Sequence, residues 1–266
     1  MQNSKKYLQF IKKYGPYALV AGGSKGLGAA FAESLAQRGI NLILIARERD
    51  QLEATADRLR KAYSIDVLSY AVDLANFDKV KSIIENINVS IGLLVYNAAH
   101  APIGLFENIN EEQLSYAANV NIKTPLLLAK LLCAPMIQNK RGGIVLMSSL
   151  AGGQGSPKLA AYAATKSFNA ILAEGLWKEL RPHGVDVIGC CAGAILTPGY
   201  QQAEKTKKAP GTLSPDNVAE QTLKVLGKGP IVIPGTVNKL GRFFLTRIMS
   251  RKAAIEIMSK NTGGLS

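Results

Sequence analysis

Seven short apolar runs, most of them rich in β-branched residues, recur along this chain, separated by longer segments of helical composition. They are Tyr17 to Ala21, Leu42 to Ala46, Val67 to Val72, Leu93 to Tyr96, Ile144 to Ser148, Val185 to Cys190 and Ile231 to Ile233. Ala29 to Arg38 and Gln51 to Ala62 are two of the intervening helical segments. Such alternation is the signature of βαβ units around a parallel sheet. The expected fold is α/β: a doubly wound, seven-stranded parallel sheet flanked by helices, with right-handed crossovers. At 266 residues, 47% hydrophobic and 19% charged, the chain can bury one full core and fits one large domain better than two small ones.

The net charge of +13 is concentrated at the ends. Residues 1–15 carry four lysines and no acid, residues 200–266 carry eleven Lys/Arg against four Asp/Glu, and residues 16–199 are nearly balanced at 17 against 15. That distribution predicts a basic surface near the termini rather than a groove for nucleic acid. The expected organisation is a basic amphipathic extension over 1–15, a domain over 16–235 and a basic segment over 236–266. Cys133, Cys190 and Cys191 have no metal-ligand spacing and read as reduced thiols, so no metal is expected. No apolar stretch approaches the roughly 18 to 20 residues needed to span a bilayer, and no secretory signal is visible, which makes the cytoplasm the expected compartment.

After the first run comes Gly22-Gly23-Ser24-Lys25-Gly26-Leu27-Gly28. Its glycines let backbone turn tightly and approach a pyrophosphate, and the helix that follows offers free amides and a positive dipole end. The other reading is a tight strand-to-helix turn. The second run ends at Ala46-Arg47, with no acid where ribose hydroxyls would be held. Arg47 and Lys25 would instead face the extra phosphate of NADP, so NADP(H) is the expected cofactor. Asp73, in Val72-Asp73-Leu74, either holds an adenine amino group or caps a turn. Asn97-Ala98-Ala99 offers small residues where the chain must pass a ribose, or where it must simply pack.

Of nine tyrosines, only Tyr162 has a lysine, Lys166, at the fourth position after it, and Ser149 stands thirteen residues upstream. Four residues of helix bring two side chains to one face. A phenol with a pKa of ~10 exchanges protons poorly near neutrality, and a nearby ammonium favours the phenolate. Tyr162 could thus give a proton to a carbonyl oxygen as hydride arrives, with Ser149 hydrogen-bonding the same oxygen.

Together these motifs resemble the short-chain dehydrogenase/reductase family over roughly residues 16–235. The family's Thr-Gly-x-x-x-Gly-x-Gly is represented by Ala21 to Gly28, its Asn-Asn-Ala-Gly by Tyr96 to Ala99, and its asparagine by Asn121 in Asn119-Val120-Asn121-Ile122. Its serine is represented by Ser149, its Tyr-x-x-x-Lys by Tyr162 to Lys166, and its Pro-Gly-x-x-x-Thr by Ala192-Gly193 and Thr197. Ala21, Tyr96, Ala99 and Ala192 depart from the pattern without removing a proton-transfer group. The resemblance implies a Rossmann fold and a catalytic set of Asn121, Ser149, Tyr162 and Lys166. It also implies that Lys166 holds the nicotinamide ribose and that Asn121 positions a water linking the lysine to solvent. The cofactor contacts it implies are Gly22, Ser24, Lys25, Gly26, Leu27, Gly28, Arg47, Asp73, Leu74, Asn97, Ala98, Ala99, Tyr162, Lys166, Gly193, Ile195 and Thr197.

Leu150, Ala151, Leu159, Ile103, Leu105 and Phe106 are expected to line a mainly apolar substrate pocket. Residues 198–215, with Pro-Gly at 198 and 210, read as a substrate lid in which Lys205, Lys207 and Lys208 either meet an anionic head group or are simply solvated. In Lys5 to Tyr14, apolar and basic residues separate onto two helical faces. Lys239 to Lys252 holds Leu240, Phe243, Phe244 and Ile248 among five cations, with Arg247 and Arg251 on the apolar side. Both segments suit either anionic lipid or docking onto protein. A weaker subfamily resemblance is to long-chain 3-oxoacyl-CoA reductases and 17β-hydroxysteroid dehydrogenases. It implies a lipophilic carbonyl or alcohol substrate, an acyl thioester or a steroid. Pairing through helices over 111–139 and 160–181 would give a homodimer or homotetramer. The remaining alternative is a non-catalytic NADP-binding or membrane-docking protein that kept the fold.

Overall fold

The computed structural model describes residues 2–197 and 209–263, with side chains from residue 5 onward. Seven strands, β1 (Tyr17–Ala21), β2 (Asn41–Ala46), β3 (Val67–Ala71), β4 (Ile91–Tyr96), β5 (Gly142–Ser149), β6 (Val185–Ala192) and β7 (Ile231–Val232), form one parallel sheet. Their order is β3-β2-β1-β4-β5-β6-β7, so the chain changes direction across the sheet between β1 and β4. The doubly wound Rossmann architecture expected from the alternation is therefore present. Strand bounds moved where neighbours, rather than apolarity, decide: the β5/β6 register runs on to Ser149 opposite Ala192, one residue and two residues past the respective apolar runs.

Both faces of the sheet are covered. On one side Val20, Leu42, Leu44 and Val95 pack with Phe31 and Leu35 of α2 (Gly26–Ala36) and Val218 and Leu223 of α8 (Pro215–Val225). The other side sets Leu19, Ile43, Leu94 and Ile144 against α4 (Phe77–Asn86), α6 (Thr124–Gln138) and α7 (Ala160–Leu180). Alternate residues of one strand thus feed two cores, as the pleat requires. Helix α3 (Arg49–Tyr63) crosses between β2 and β3.

The basic N-terminal segment is helix α1 (Gln2–Tyr14), and it docks on protein. Tyr14 is buried, donates to Asp186 Oδ2 at 2.6 Å and packs its ring, tilted by 58°, against Phe10, while Arg38 lies over the Tyr7 and Phe10 rings.

Two expected helices are interrupted. The segment expected as one helix over 111–139 contains α5 (Glu111–Ala118), a π-turn (Asn119–Lys123) and α6. Pro125 has no N–H to give the carbonyl of Asn121, four residues back, and the turn is wider there. Taken together, Glu111–Gln138 is long and apolar enough to cross a membrane, correcting the expectation that no apolar stretch has that length. Its Leu128, Ala129, Leu132 and Met136 are buried in the core. At the C-terminus, α9 (Thr236–Phe243) continues as a π-turn (Phe244–Ile248) and breaks before α10 (Arg251–Thr262), which Ser250 caps. Arg251 therefore does not share a helical wheel with Leu240 and Phe244, correcting the continuous reading of 239–252.

Candidate active site

A cavity of about 500 Å³ opens at the carboxyl ends of the strands, beside the β1/β4 reversal. In doubly wound sheets this crevice is where ligands bind. Its β1 wall is the glycine loop. Gly22 has φ +83, and a Cβ on it would lie 2.9 Å from Ala98 N; a Cβ on Gly28 would lie 1.7 Å from Gly22 O. Asn97 Nδ2 donates to that same Gly22 carbonyl at 3.2 Å. Lys25 is the N-cap of α2 and makes no side-chain cap, so the first-turn amides of the helix remain available to an anion.

The cavity brings together Gly22, Ser24, Lys25, Gly26, Leu27, Arg47, Asp73, Leu74, Asn97, Ala98, Ala99, Ser149, Tyr162, Lys166, Gly193, Ile195 and Thr197. Two expected members lie outside its lining. Gly28 acts beneath the loop by letting Gly22 approach. Asn121 is fully buried in the π-turn: its Oδ1 accepts from His100 N at 2.8 Å, and its Nδ2 donates to His100 O at 2.7 Å and Thr165 Oγ1 at 3.0 Å. Asn169 Nδ2, one turn beyond Thr165 on α7, donates to the Asn121 carbonyl at 3.0 Å, the group that Pro125 cannot serve. Asn121 is thus neither a cap nor a wall but a pin between the β4 exit and α7.

Tyr162 and Lys166 project from the first two turns of α7, and β5 delivers Ser149 to them. Ser148 Oγ donates to Lys166 O at 2.6 Å, joining the strand end to the helix. Lys166 Nζ sits 5.5 Å from the centroid of the Tyr162 ring and donates to Met147 O at 3.0 Å. Burial pulls the lysine pKa down to about 8 from its usual 10.5. Burial raises that of Tyr162, while a hydrogen bond with Ser149 opposes the rise. Ser149 Oγ also accepts from Ala151 N at 3.2 Å. A half-buried phenol, hydrogen-bonded to a hydroxyl and beside a lysine with a depressed pKa, is equipped to pass one proton to or from an oxygen placed against it.

Tyr116, Val120, Met147 and Glu48 also line the cavity and were not foreseen, whereas His100, which lines it too, opens the segment 100–107 that the sequence suggests faces substrate. Arg47 Nη1 donates to the Tyr116 hydroxyl at 2.7 Å, with its guanidinium over the ring, and Tyr116 in turn donates to Asp73 Oδ1 at 3.0 Å. Asp73 also accepts from Ala75 N at 2.9 Å, the turn role weighed for it above. His100 meets Tyr116 edge-on at 5.0 Å, and its Nε2 is buried with no hydrogen-bond partner among the described residues. Glu48 is an acid one residue beyond the strand-end position that was read as lacking one. Glu48 adjoins a motif residue and could have been read by adjacency; Tyr116 arrives from α5 with no local signal.

The apolar substrate pocket expected from Leu150, Ala151, Leu159, Ile103, Leu105 and Phe106 is not part of this cavity. Leu105 and Phe106 are exposed, because the loop after β4 carries them outward. Lys205, Lys207 and Lys208, with most of the expected lid, lie outside the described residues.

The fold, the glycine loop and the strand-end crevice define a dinucleotide-binding oxidoreductase architecture. The chain belongs to the short chain dehydrogenase family, whose model matches residues 16–208. It is 30% identical over 241 residues to the 7beta-hydroxysteroid dehydrogenase of Mediterraneibacter gnavus, covering 86% of this chain and 89% of the relative. It is 28% identical to the very-long-chain 3-oxoacyl-CoA reductase of Phaeosphaeria nodorum, covering 95% of this chain and 77% of that one. A short-chain dehydrogenase from Sphingobium yanoikuyae, solved with NADPH, superposes with a TM-score of 0.77 at 27% identity, covering 93% and 94% of the two chains. The cofactor is accordingly a nicotinamide dinucleotide, and the close-approach glycines and uncapped α2 amides described above fit its pyrophosphate.

Proposed function

We propose that this protein interconverts a carbonyl and a secondary alcohol on a lipophilic substrate, using NADP(H). The observation that carries the reading is that Ser149, Tyr162 and Lys166 line the same cavity as the glycine loop. The bound cofactor supplies or accepts the hydride. Tyr162 gives the substrate oxygen its proton during reduction and takes it back during oxidation. Ser149 hydrogen-bonds that oxygen while charge develops, and Lys166 favours the phenolate and holds the nicotinamide ribose. Asn121 acts at one remove, fixing the His100 backbone and the first turns of α7 through the bonds given above.

Arg47 and Lys25 at the cavity rim support NADP(H) over NAD(H), because two cations suit a dianionic phosphate. The likeness to a 3-oxoacyl-CoA reductase supports a lipophilic substrate. The likeness to a 7beta-hydroxysteroid dehydrogenase, at similar identity and coverage, favours a steroid as the second reading. The three free cysteines suit a reducing compartment such as the cytoplasm, and exposed Leu126 and Ile171 on α6 and α7 suit pairing of two copies through these helices.

The test is NADPH consumption with a long-chain 3-oxoacyl-CoA, run on the wild type and Tyr162→Phe with NADH as the cofactor control. Turnover is expected to require NADPH and to fall by about 10²- to 10⁴-fold in the variant. NADPH binding without turnover would reject the thioester and send the assay to hydroxysteroids. Binding without turnover of any carbonyl compound would replace the enzyme by a nucleotide-binding protein.

A further inference from the structure

Helix α9 turns its apolar side outward. Along Thr236–Phe243 and the π-turn Phe244–Ile248, Val237, Leu240, Phe243, Phe244 and Ile248 are 52 to 63% exposed. The inner side holds Asn238, Arg242 and Leu245, so that of the six apolar side chains in 236–248 only Leu245 faces the fold. Asn238 is buried and donates its Nδ2 to Gly211 O at 3.0 Å and Pro234 O at 2.9 Å. Thr246 rests beside Gly153, whose Cβ position is 3.6 Å from the threonine methyl. This inverts the pattern of a surface helix, which hides its apolar stripe and wets its polar one. The Phe243 and Phe244 rings touch edge to face at 5.9 Å, holding the stripe together without help from the core.

Charge decides what this face meets. From residue 236 to 255 the chain carries five cations, Lys239, Arg242, Arg247, Arg251 and Lys252, and no acid. Among the described residues none of the five is ion-paired. A two-fold contact with a second copy would set this cationic face against itself. An anionic lipid surface answers both features: acyl chains take the phenyl and aliphatic side chains, and head groups take the cations. Arg247, in the middle of the stripe, reaches the head groups by extending its stem along the apolar side chains.

We infer that α9 and its π-turn form a peripheral docking surface for an anionic membrane. The stripe enters the acyl boundary, and Lys239, Arg247, Arg251 and Lys252 pair with lipid phosphate or carboxylate groups. Because the inner side of the same helix lies on Gly153, in the loop that follows Ser149, docking brings the membrane beside the mouth of the candidate active site. The inference stands on exposure and charge and is independent of the redox reading.

The experiment is co-sedimentation of the full chain with vesicles of phosphatidylcholine alone or mixed with phosphatidylserine, at low and high salt. The comparison is with Phe243→Ser/Phe244→Ser and with Lys239→Gln/Arg247→Gln. Light scattering and thermal unfolding are measured on each. The wild type is expected to sediment with the phosphatidylserine vesicles at low salt and far less with phosphatidylcholine. The serine pair is expected to lower the bound fraction by about fivefold or more on either vesicle, and the glutamine pair on the anionic vesicle alone, with unfolding unchanged. Failure of the wild type to sediment overturns the inference, as does sedimentation that both pairs leave unaltered. A serine pair that turns an oligomer into a monomer without changing lipid binding overturns it too, making this face a contact between copies.

Discussion

Lys166 is the residue whose burial has the plainest thermodynamic consequence. Its folded pKa of about 8 lies below the 10.5 of the unfolded side chain, so between those values the unfolded chain binds more protons. Stability contributed by this group therefore rises with pH from about 8 to 10.5, and below 8 the folded protein carries a buried charge that the unfolded one hydrates. Lys166→Met is expected to gain stability on the order of 2 kcal/mol at pH 7 relative to wild type, the gain shrinking as pH rises through that window; urea titrations across the window check it. A gain that stays constant with pH would mean that the lysine keeps its ordinary pKa in the fold. Tyr116 offers a second residue-scale prediction. Its hydroxyl holds Arg47 at the rim, and freeing that side chain adds ordering entropy to cofactor binding. Tyr116→Phe is expected to weaken NADPH binding roughly threefold to tenfold and leave NADH binding unchanged, read by fluorescence titration of both.

The β1–loop–α2 unit works as one element. In an ordinary helix Gly→Ala gains up to about 1 kcal/mol of propensity, yet at Gly28 the added Cβ would sit 1.7 Å from the Gly22 carbonyl oxygen. Backbone must move to make room, and overpacking of this kind costs about 1–3 kcal/mol, so the clash outweighs the propensity. Gly28→Ala is expected to destabilise the protein by about 1–2 kcal/mol and to weaken cofactor binding more than about tenfold, measured by denaturation and titration of one preparation. The π-turn at Asn121 shows the converse, an element set by contacts distant in sequence. Pro125 withholds one donor, Asn169 supplies another from 48 residues away, and the wider turn places Asn121 between His100 and Thr165.

At the scale of the molecule, α1 fastens the amino-terminal ends of the sheet. Tyr14 reaches Asp186 at the start of β6, and Arg141 Nη1 donates to Lys12 O and Gly15 O at 2.9 Å, closing the carbonyl end of the helix. Tyr14→Ala removes a buried ring and leaves Asp186, among the described residues, with the Lys13 ion pair. A loss of about 3 kcal/mol or more is expected in urea unfolding, with cofactor affinity unchanged because the site lies at the opposite ends of the strands. A larger effect on affinity than on stability would mean that α1 is coupled to the crevice.

The residues carry the local part of this protein in their own order. Apolar runs alternating with helical segments suffice for a parallel sheet, because each strand must be covered on both faces and reached by a crossover. The glycine loop, Tyr162 and Lys166 are legible for the same reason: their geometry is set within a turn or two of chain. What depends on distant partners was not legible. The π-turn, the Tyr116 bridge between Arg47 and Asp73, and the outward apolar stripe of α9 arise from side chains that sequence spacing never brings together. Even α1, whose pattern suits lipid and protein equally, is decided by Asp186 and Arg38 lying where Tyr14 and Phe10 can reach them. Periodicity says which side of a helix is apolar; only packing in three dimensions says what that side touches.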